Sequence, residues 1–339
     1  MGSNLLPEEV TLLMQQPLQH KIQSSPSNTD RRLSKNIGQS TPARRRFKQN
    51  IPLLIMFIPV IAFFLIFKYI PILGNVIAFK DYNLMTGIWN SPWAGLKHFE
   101  MLFTQPQTSI IIRNTIVLSL LSITVSFPFP IIIAILLNEI RLMRFKKVVQ
   151  TLIYLPHFFS WVIVGGIVVT IFSQQSGIVN KLIEMWTGQT IPFLYQEHSW
   201  IAIFLGSGIW KEAGWGAIIY LATLTSIDPH LYEAASIDGA SKWRQIWHVT
   251  LPGIRTTIIL MLVLSMGNVM EVGFDHIYTL QNAAVSDVAS VISTYIFVVG
   301  VQGGQFSLTT AIGLFESVVG FIFVVLANQI ARKFDQGLW

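Results

Sequence analysis

The fold predicted for this chain is an all-α membrane protein with six transmembrane helices, on three observations. Of 339 residues, 52% are hydrophobic and only 12% charged, and the mean hydropathy is +0.55, a balance too apolar for a water-soluble domain. The apolar residues gather into several runs near twenty residues, the length a helix needs to cross about 30 Å of hydrocarbon. Lys and Arg concentrate in alternate connections, as expected where every second loop lies on the cytoplasmic side. Cysteine is absent, which excludes disulfides, thiol catalysis and cysteine-ligated metal centres.

Residues 1–50 come first. They hold eight Lys or Arg against three acids and so carry five of the chain's six net positive charges. The segment is rich in Gln, Ser, Asn and Thr and ends in Arg44, Arg45, Arg46 and Lys48. It is expected to be a disordered cytoplasmic tail that orients the first span. It lacks the apolar core of a signal peptide and the aromatic platforms that would bind nucleic acid. The remainder, 51–339, holds six expected spans: 51–71, 110–137, 150–173, 200–224, 253–275 and 309–331. The second is long enough to tilt, and Pro128 and Pro130 should kink it. Arg141, Arg144, Lys146 and Lys147 follow span two, and Arg332 and Lys333 follow span six. The opposite connections hold only Lys80 with Lys97, then Lys181, then none. Both termini are therefore expected in the cytoplasm, together with the loop after span four.

That loop, 228–252, is the most structured polar stretch of the chain. Asp228 can cap a helix with Pro229 in its first turn, and Gly239 stands where a helix stop needs positive φ. Ser241 can cap a second short helix, which Pro252 is expected to close. Glu233, Ala234 and Ala235, then Gly239 after a three-residue gap, then Leu251 and Pro252 after eleven more, resemble the EAA loop of permease subunits of binding-protein-dependent ABC importers. Val249 stands where that pattern usually has Ile. Tyr154–Ile167, Gly208–Ala222 and the ending ARKFDQGLW resemble the LplB-type, oligosaccharide-importing subgroup of the maltose-type carbohydrate permeases.

The resemblance implies a type I importer fold in a bacterial inner membrane, with a coupling helix between helices 4 and 5. It implies that Glu233, Ala234, Ala235, Asp238, Gly239, Leu251 and Pro252 couple the chain to a separate ATPase. The implied partners are a second permease, an ATPase dimer carrying the ATP and Mg, an extracytoplasmic sugar-binding protein and an oligosaccharide. This chain itself would hold no cofactor and be no enzyme.

Among the ionisable groups inside the expected spans, the candidates for function are Lys211, Glu212, Glu271, Asp275 and Glu316, each costly at the bilayer centre. Ser265, Asn268, Glu271 and Asp275 follow helical spacing and would form one polar stripe on span five. Asn268, Glu271, Asp275, Lys211 and Glu316 are candidates to line a translocation path; interhelical pairing is the other account. Adjacent Lys211 and Glu212 should diverge by about 100° and not pair with each other, leaving Lys211 to an acid of span five or six. Trp161, Trp210, Trp215 and Phe274 either pack between helices or stack on sugar. Catalytic signals are thin. The seven His are scattered, no metal-ligand spacing occurs, and no G-x-x-x-x-G-K-[ST] loop is present, so ATP hydrolysis by that route is excluded. A stand-alone channel or an intramembrane enzyme remains the alternative, and it leaves the 228–252 hairpin without a purpose.

Overall fold

The computed structural model describes residues 43–333, and among them helix is the only regular secondary structure apart from one isolated bridge between Lys80 and Trp93. Most of the basic leader, residues 1–42, lies outside the described residues. The chain divides into two units, Met1–Ile70 and Pro71–Trp339. In the first, α1 (Ala43–Phe64) contains Pro52 and Pro59 and passes into a π turn at Leu65–Tyr69.

The second unit carries the remaining elements. A short helix, α2 (Lys97–Thr104), leads to α3 (Pro106–Leu121) and α4 (Pro128–Glu139), which are joined through a π turn at Ser122–Ser126. The cause is legible: Pro128 and Pro130 offer no N–H to the carbonyls of the preceding turn, which widens there instead of breaking. Next come α5 (Met143–Tyr154), α6 (Trp161–Phe172), the amphipathic α7 (Ile178–Thr187) and the 28-residue α8 (Glu197–Leu224), about 42 Å long at 1.5 Å per residue. The hairpin follows as α9 (Pro229–Ile237) and α10 (Lys242–Gln245), the latter prolonged by a π turn at Ile246–Thr250 and by Leu251–Gly253. The chain ends in α11 (Arg255–Gly267), α12 (Phe274–Leu280), α13 (Ile292–Tyr295) and α14 (Phe306–Arg332).

Among the described residues, three helical stretches are long and apolar enough to cross a membrane: Asn50–Phe79, Pro106–Glu139 and Phe306–Arg332. The six-span count requires each of two bent pairs, and α8, to supply one crossing more. The first bent pair corrects the expectation of a continuous span over 150–173. Met143–Phe158 meets Trp161–Phe172 at 103°, because Pro156 ends the first helix and Ser160 caps the second by accepting a hydrogen bond from Ile163 N at 3.3 Å. The second bend, 62°, separates Lys242–Gly253 from Arg255–Gly267. Pro252 therefore does not close the hairpin's second helix; it sits in that helix's last turn, and the stop falls at Ile254.

Span five is also shorter than expected. Its helix stops at Gly267, Asn268–Met270 form a turn, and helix resumes only at Phe274. The predicted helical stripe of Ser265, Asn268, Glu271 and Asp275 is thus not one face of one helix.

Packing holds these broken elements in place. Trp200 is fully buried and donates Nε1–H to Leu280 O at 2.9 Å, which joins α8 to the end of α12. Around it pack Leu118, Val164, Val168, Phe204, Ile277 and Val291. Two glycines permit close helix contact. A Cβ on Gly165 would meet Thr279 Cγ2, and one on Gly214 would meet the carbonyl of Ile153, so α6 seats against the Thr279 side chain of α12 and α8 against the backbone of α5. Outside the spans, Asp81 accepts from Lys97 Nζ at 3.0 Å, and this hydrogen bond and charge hold its carboxyl below the usual range.

Candidate functional site

The 228–253 hairpin is built from its caps inward. Asp228 accepts from His230 N at 3.0 Å and Ser241 accepts from Arg244 N at 3.5 Å, so each arm begins with a side-chain cap, worth about 1 kcal/mol. The turn closes through Asp238 N to Ala234 O (3.0 Å), Gly239 N to Ser236 O (3.1 Å) and Ala240 N to Ala235 O (2.9 Å). Gly239 adopts φ +73°, and a Cβ built there meets nothing within 4 Å. Its requirement is one of backbone conformation alone.

The arms are then tied together. Gln245 Nε2 donates to Ser236 Oγ at 2.9 Å and to Ala240 O at 3.3 Å, and the Tyr232 and Thr250 hydroxyls share a hydrogen bond of 3.1 Å. Lys242 Nζ reaches Glu139 Oε2 at 3.1 Å, which fastens the hairpin to the end of α4. Glu233, Ala234, Ala235 and Asp238 lie along α9 and its end, largely outside the hairpin's own packing; Leu231 and Ile237 expose apolar side chains, Ile237 at 86%. Leu251 and Pro252 stand at the far end, beside the bend into α11.

The second assembly is a cavity of about 340 Å³ whose largely apolar wall carries a cluster of polar side chains. Ser119, Ser122 and Ser126 line it from the α3–α4 path, Trp161 from the start of α6, Phe204, Gly208 and Glu212 from α8, and Ser265, Asn268, Glu271 and His276 from the broken end of span five. Ser119 Oγ is buried without a hydrogen-bond partner among the described residues. The unwound turn after Gly267 is what brings Asn268 and Glu271 to this wall. Asp275, in the first turn of α12, does not reach the cavity. Glu271 also borders a neighbouring space of about 520 Å³, where it faces Glu316 together with Ser293 and Ser317. Of the five path candidates, Asn268, Glu271 and Glu316 therefore line these two cavities.

Lys211 is placed otherwise than expected. Its Nζ lies 2.9 Å from Oε1 of adjacent Glu212 and donates to His157 O at 2.8 Å; the pairing with an acid of span five or six does not form. Diverging Cα–Cβ bonds do not keep two long side chains apart when both bend toward one neighbour. That neighbour is the Pro156 break, which leaves the His157 carbonyl free of helical bonding and sets His157 Nδ1 at 2.8 Å from Glu212 Oε2. The Lys211 side chain is 7% exposed and Glu212 47%. The cation is thus enclosed and satisfied, while the carboxylate faces the cavity.

The aromatic residues are consumed by each other. Trp161 stacks on His276 with centroids 3.7 Å apart, Phe204 stacks on the other side of His276 at 4.3 Å, and His276 Nε2 shares a 2.9 Å hydrogen bond with Ser207 Oγ. Trp215 stacks on His157 at 4.5 Å. Trp210 lines a separate apolar groove, and Phe274 packs on Tyr278 and Phe297. Among the described residues no group of three or more His, Asp or Glu could hold a metal. Sequence reasoning overlooked His157, His276 and the serines of the second span. The serine spacing of three and four residues was a readable signal of a helix face; the histidines gave none, because only the breaks bring them inward.

Residues 112–339 match the family described as binding-protein-dependent transport system inner membrane component. The chain is 47% identical over 288 residues to the polygalacturonan/rhamnogalacturonan transport system permease protein YteP of Bacillus subtilis, covering 85% of this chain and 90% of the relative. It is 44% identical over 284 residues to protein LplB of the same organism, covering 84% and 89%. A chain in the crystal structure of a bacterial alginate ABC transporter in complex with alginate pentasaccharide-bound periplasmic protein superposes with a TM-score of 0.80 at 41% identity, covering 86% of this chain and 98% of that one.

Proposed function

We propose how this chain works from the family to which it belongs: it is a binding-protein-dependent transport system inner membrane component. It is the permease subunit of a sugar ABC importer, a multi-pass inner-membrane transport component and not an enzyme. It works with a second permease, an ATPase and a substrate-binding protein. The nucleotide and its Mg belong, on our reading, to the ATPase, and both termini of this chain face the cytoplasm, as the Lys and Arg distribution supports.

The coupling element is the 228–253 hairpin. The observation that carries this assignment is a capped, hydrogen-bonded hairpin whose α9 arm offers Leu231, Glu233, Ala234, Ala235 and Ile237 away from its own packing, turned at Gly239 with φ +73°. A surface of that kind joined to a span by a 62° bend can pass a push from a docked ATPase into α11. ATP-driven closure of two ATPases would draw two such hairpins together and rock the spans from inward-open to outward-open.

The cavity bounded by Ser119, Ser122, Ser126, Glu212, Asn268 and Glu271 is the stretch of path this subunit contributes. Hydroxyl, amide and carboxylate groups suit the hydroxyl-rich faces of an oligosaccharide, and the fragments of acidic plant or algal polysaccharides named for the relatives are the favoured substrate class. In the intact complex, Cys at Ala235 should cross-link to the ATPase in a manner that changes with bound nucleotide. A Cys there that reaches no other subunit in any nucleotide state would overturn the docking assignment.

A further inference from the structure

The second arm of the hairpin carries a surface that ATPase docking by α9 does not use. Trp243 and Trp247 are one helical turn apart, their rings 6.1 Å between centroids and nearly perpendicular. They are 68% and 54% exposed, a large apolar area to leave in water. The opposite face of the same arm is the one that packs: Gln245, two residues from each Trp, is buried against Ser236 and Ala240, and Thr250 meets Tyr232. The pair therefore points away from the first arm.

The flanking charges are of one sign. Between Ala240 and Thr257 the sequence holds Lys242, Arg244, His248 and Arg255 and no acid. Lys242 is neutralised by Glu139, whereas Arg244 has no ion pair among the described residues. The arm runs through Leu251–Gly253 directly into α11 at a bend of 62°, which lays it closer to the membrane plane than to the span direction. For a span set along the membrane normal, an arm bent away from it at its end lies near the water–hydrocarbon boundary.

We propose that Trp243 and Trp247, with Arg244, form an anchor for anionic phospholipid headgroups on the membrane face from which the hairpin projects. The inference rests on the hairpin being the coupling element at that face. Indole rings belong at headgroup level, apolar body inward and N–H outward, and a cation beside them is drawn to an anionic leaflet. The α9 arm is then left to the ATPase, and the α10 arm becomes the hinge-side bearing on which the hairpin turns.

The test uses the intact transport complex in vesicles of phosphatidylcholine with phosphatidylglycerol, and the chain's lack of native cysteine. A small fluorophore on Trp247→Cys should be quenched by lipids with a shallow nitroxide about twice as strongly as by lipids with a deep one, since an interfacial helix sits about 5–10 Å into the boundary. The same fluorophore on Ile237→Cys, in the first arm, should be quenched by neither. Trp243→Cys supplies the second probe position where Trp247→Cys fails to assemble. Equal or absent quenching at the Trp positions, or their cross-linking to the ATPase, would overturn the anchor. In unlabelled complex, replacing phosphatidylglycerol by phosphatidylcholine should slow ATP hydrolysis stimulated by loaded binding protein, and Arg244→Gln should remove that lipid sensitivity; full sensitivity in the variant would count against the charge component. Nucleotide-dependent cross-linking at Ala235 without lipid quenching at Trp247 sinks the anchor alone, and the converse sinks the docking assignment alone.

Discussion

Replacing Gly239 separates backbone conformation from side-chain size in the coupling hairpin. The residue sits at φ +73°, and a Cβ there would meet nothing within 4 Å, so a substitution costs only what the left-handed region costs its own backbone. That is roughly 1–2 kcal/mol for an ordinary L-residue, more for a β-branched one and less for Asn, whose side chain bonds locally in that region. Three turn hydrogen bonds and the Gln245 tie oppose the change, each contributing about 0.5–1.5 kcal/mol net, so the hairpin bends toward misfolding without collapsing. A loss of one to two kcal/mol is a factor of roughly 5–30 in the ratio of folded to unfolded hairpin. The expected order is therefore Gly239→Asn mildest, Gly239→Ala intermediate and Gly239→Val most severe, although Asn is far larger than Ala. The assay is ATP hydrolysis by the reconstituted complex with and without loaded binding protein, alongside uptake. Gly239→Val should lose stimulation and uptake while sugar capture by the binding protein stays normal. An order that follows side-chain volume, with Asn worse than Ala, would refute the conformational argument.

Three further outcomes are expected. Single Cys at Arg144 or Ser241 should be shielded from impermeant thiol reagents in intact cells while Cys at Gln189 or Ala284 labels; labelling of Ser241→Cys from outside would reverse the proposed orientation. Glu212→Gln strips the enclosed Lys211 ammonium of its counter-charge, leaving the His157 carbonyl, and should destabilise the subunit by roughly 1.5–3 kcal/mol, read as a lower thermal midpoint of the purified complex; an unchanged midpoint would show the pair to be dispensable. Gly214→Ala places a methyl on the Ile153 carbonyl and should force α5 from α8 at a cost of about 1–3 kcal/mol, lowering the yield of assembled complex, whereas Ala at Gly166, with nothing within 4 Å, should leave assembly unchanged.

How much of this was legible beforehand differs between the two assemblies. The hairpin was readable almost to the residue, because caps, turn glycine and helix starts are local signals: Asp228, Gly239 and Ser241 do in the structure what their side chains dictate in isolation. The interior was not. Pattern reasoning extends a helix through any apolar run, and 150–173 and 253–275 are apolar runs; only Pro156, and the Gly267 and Gly273 that bracket the unwound turn, argue against continuity. Missing those breaks misplaced Asp275 on a stripe it does not share. It also sent Lys211 to a distant acid, since the carbonyl that receives it exists as a free acceptor only because α5 stops.

The two breaks and the cavity are one physical fact. At membrane depth, backbone released from helical bonding cannot face lipid and persists only where protein or a polar space receives it. Span three breaks beside His157, and Lys211 meets the released carbonyl; span five breaks after Gly267, and Asn268 and Glu271 turn into the space so opened. The third wall is the π turn Ser122–Ser126, where Pro128 and Pro130 have no N–H to give the preceding turn. Three interrupted helices thus converge on one volume of about 340 Å³, which straight helices packed side to side would have filled with Leu and Ile. On the proposed reading, a permease that alternates between two faces passes its sugar through such a place, and the irregularities that defeat the helix pattern are what open it.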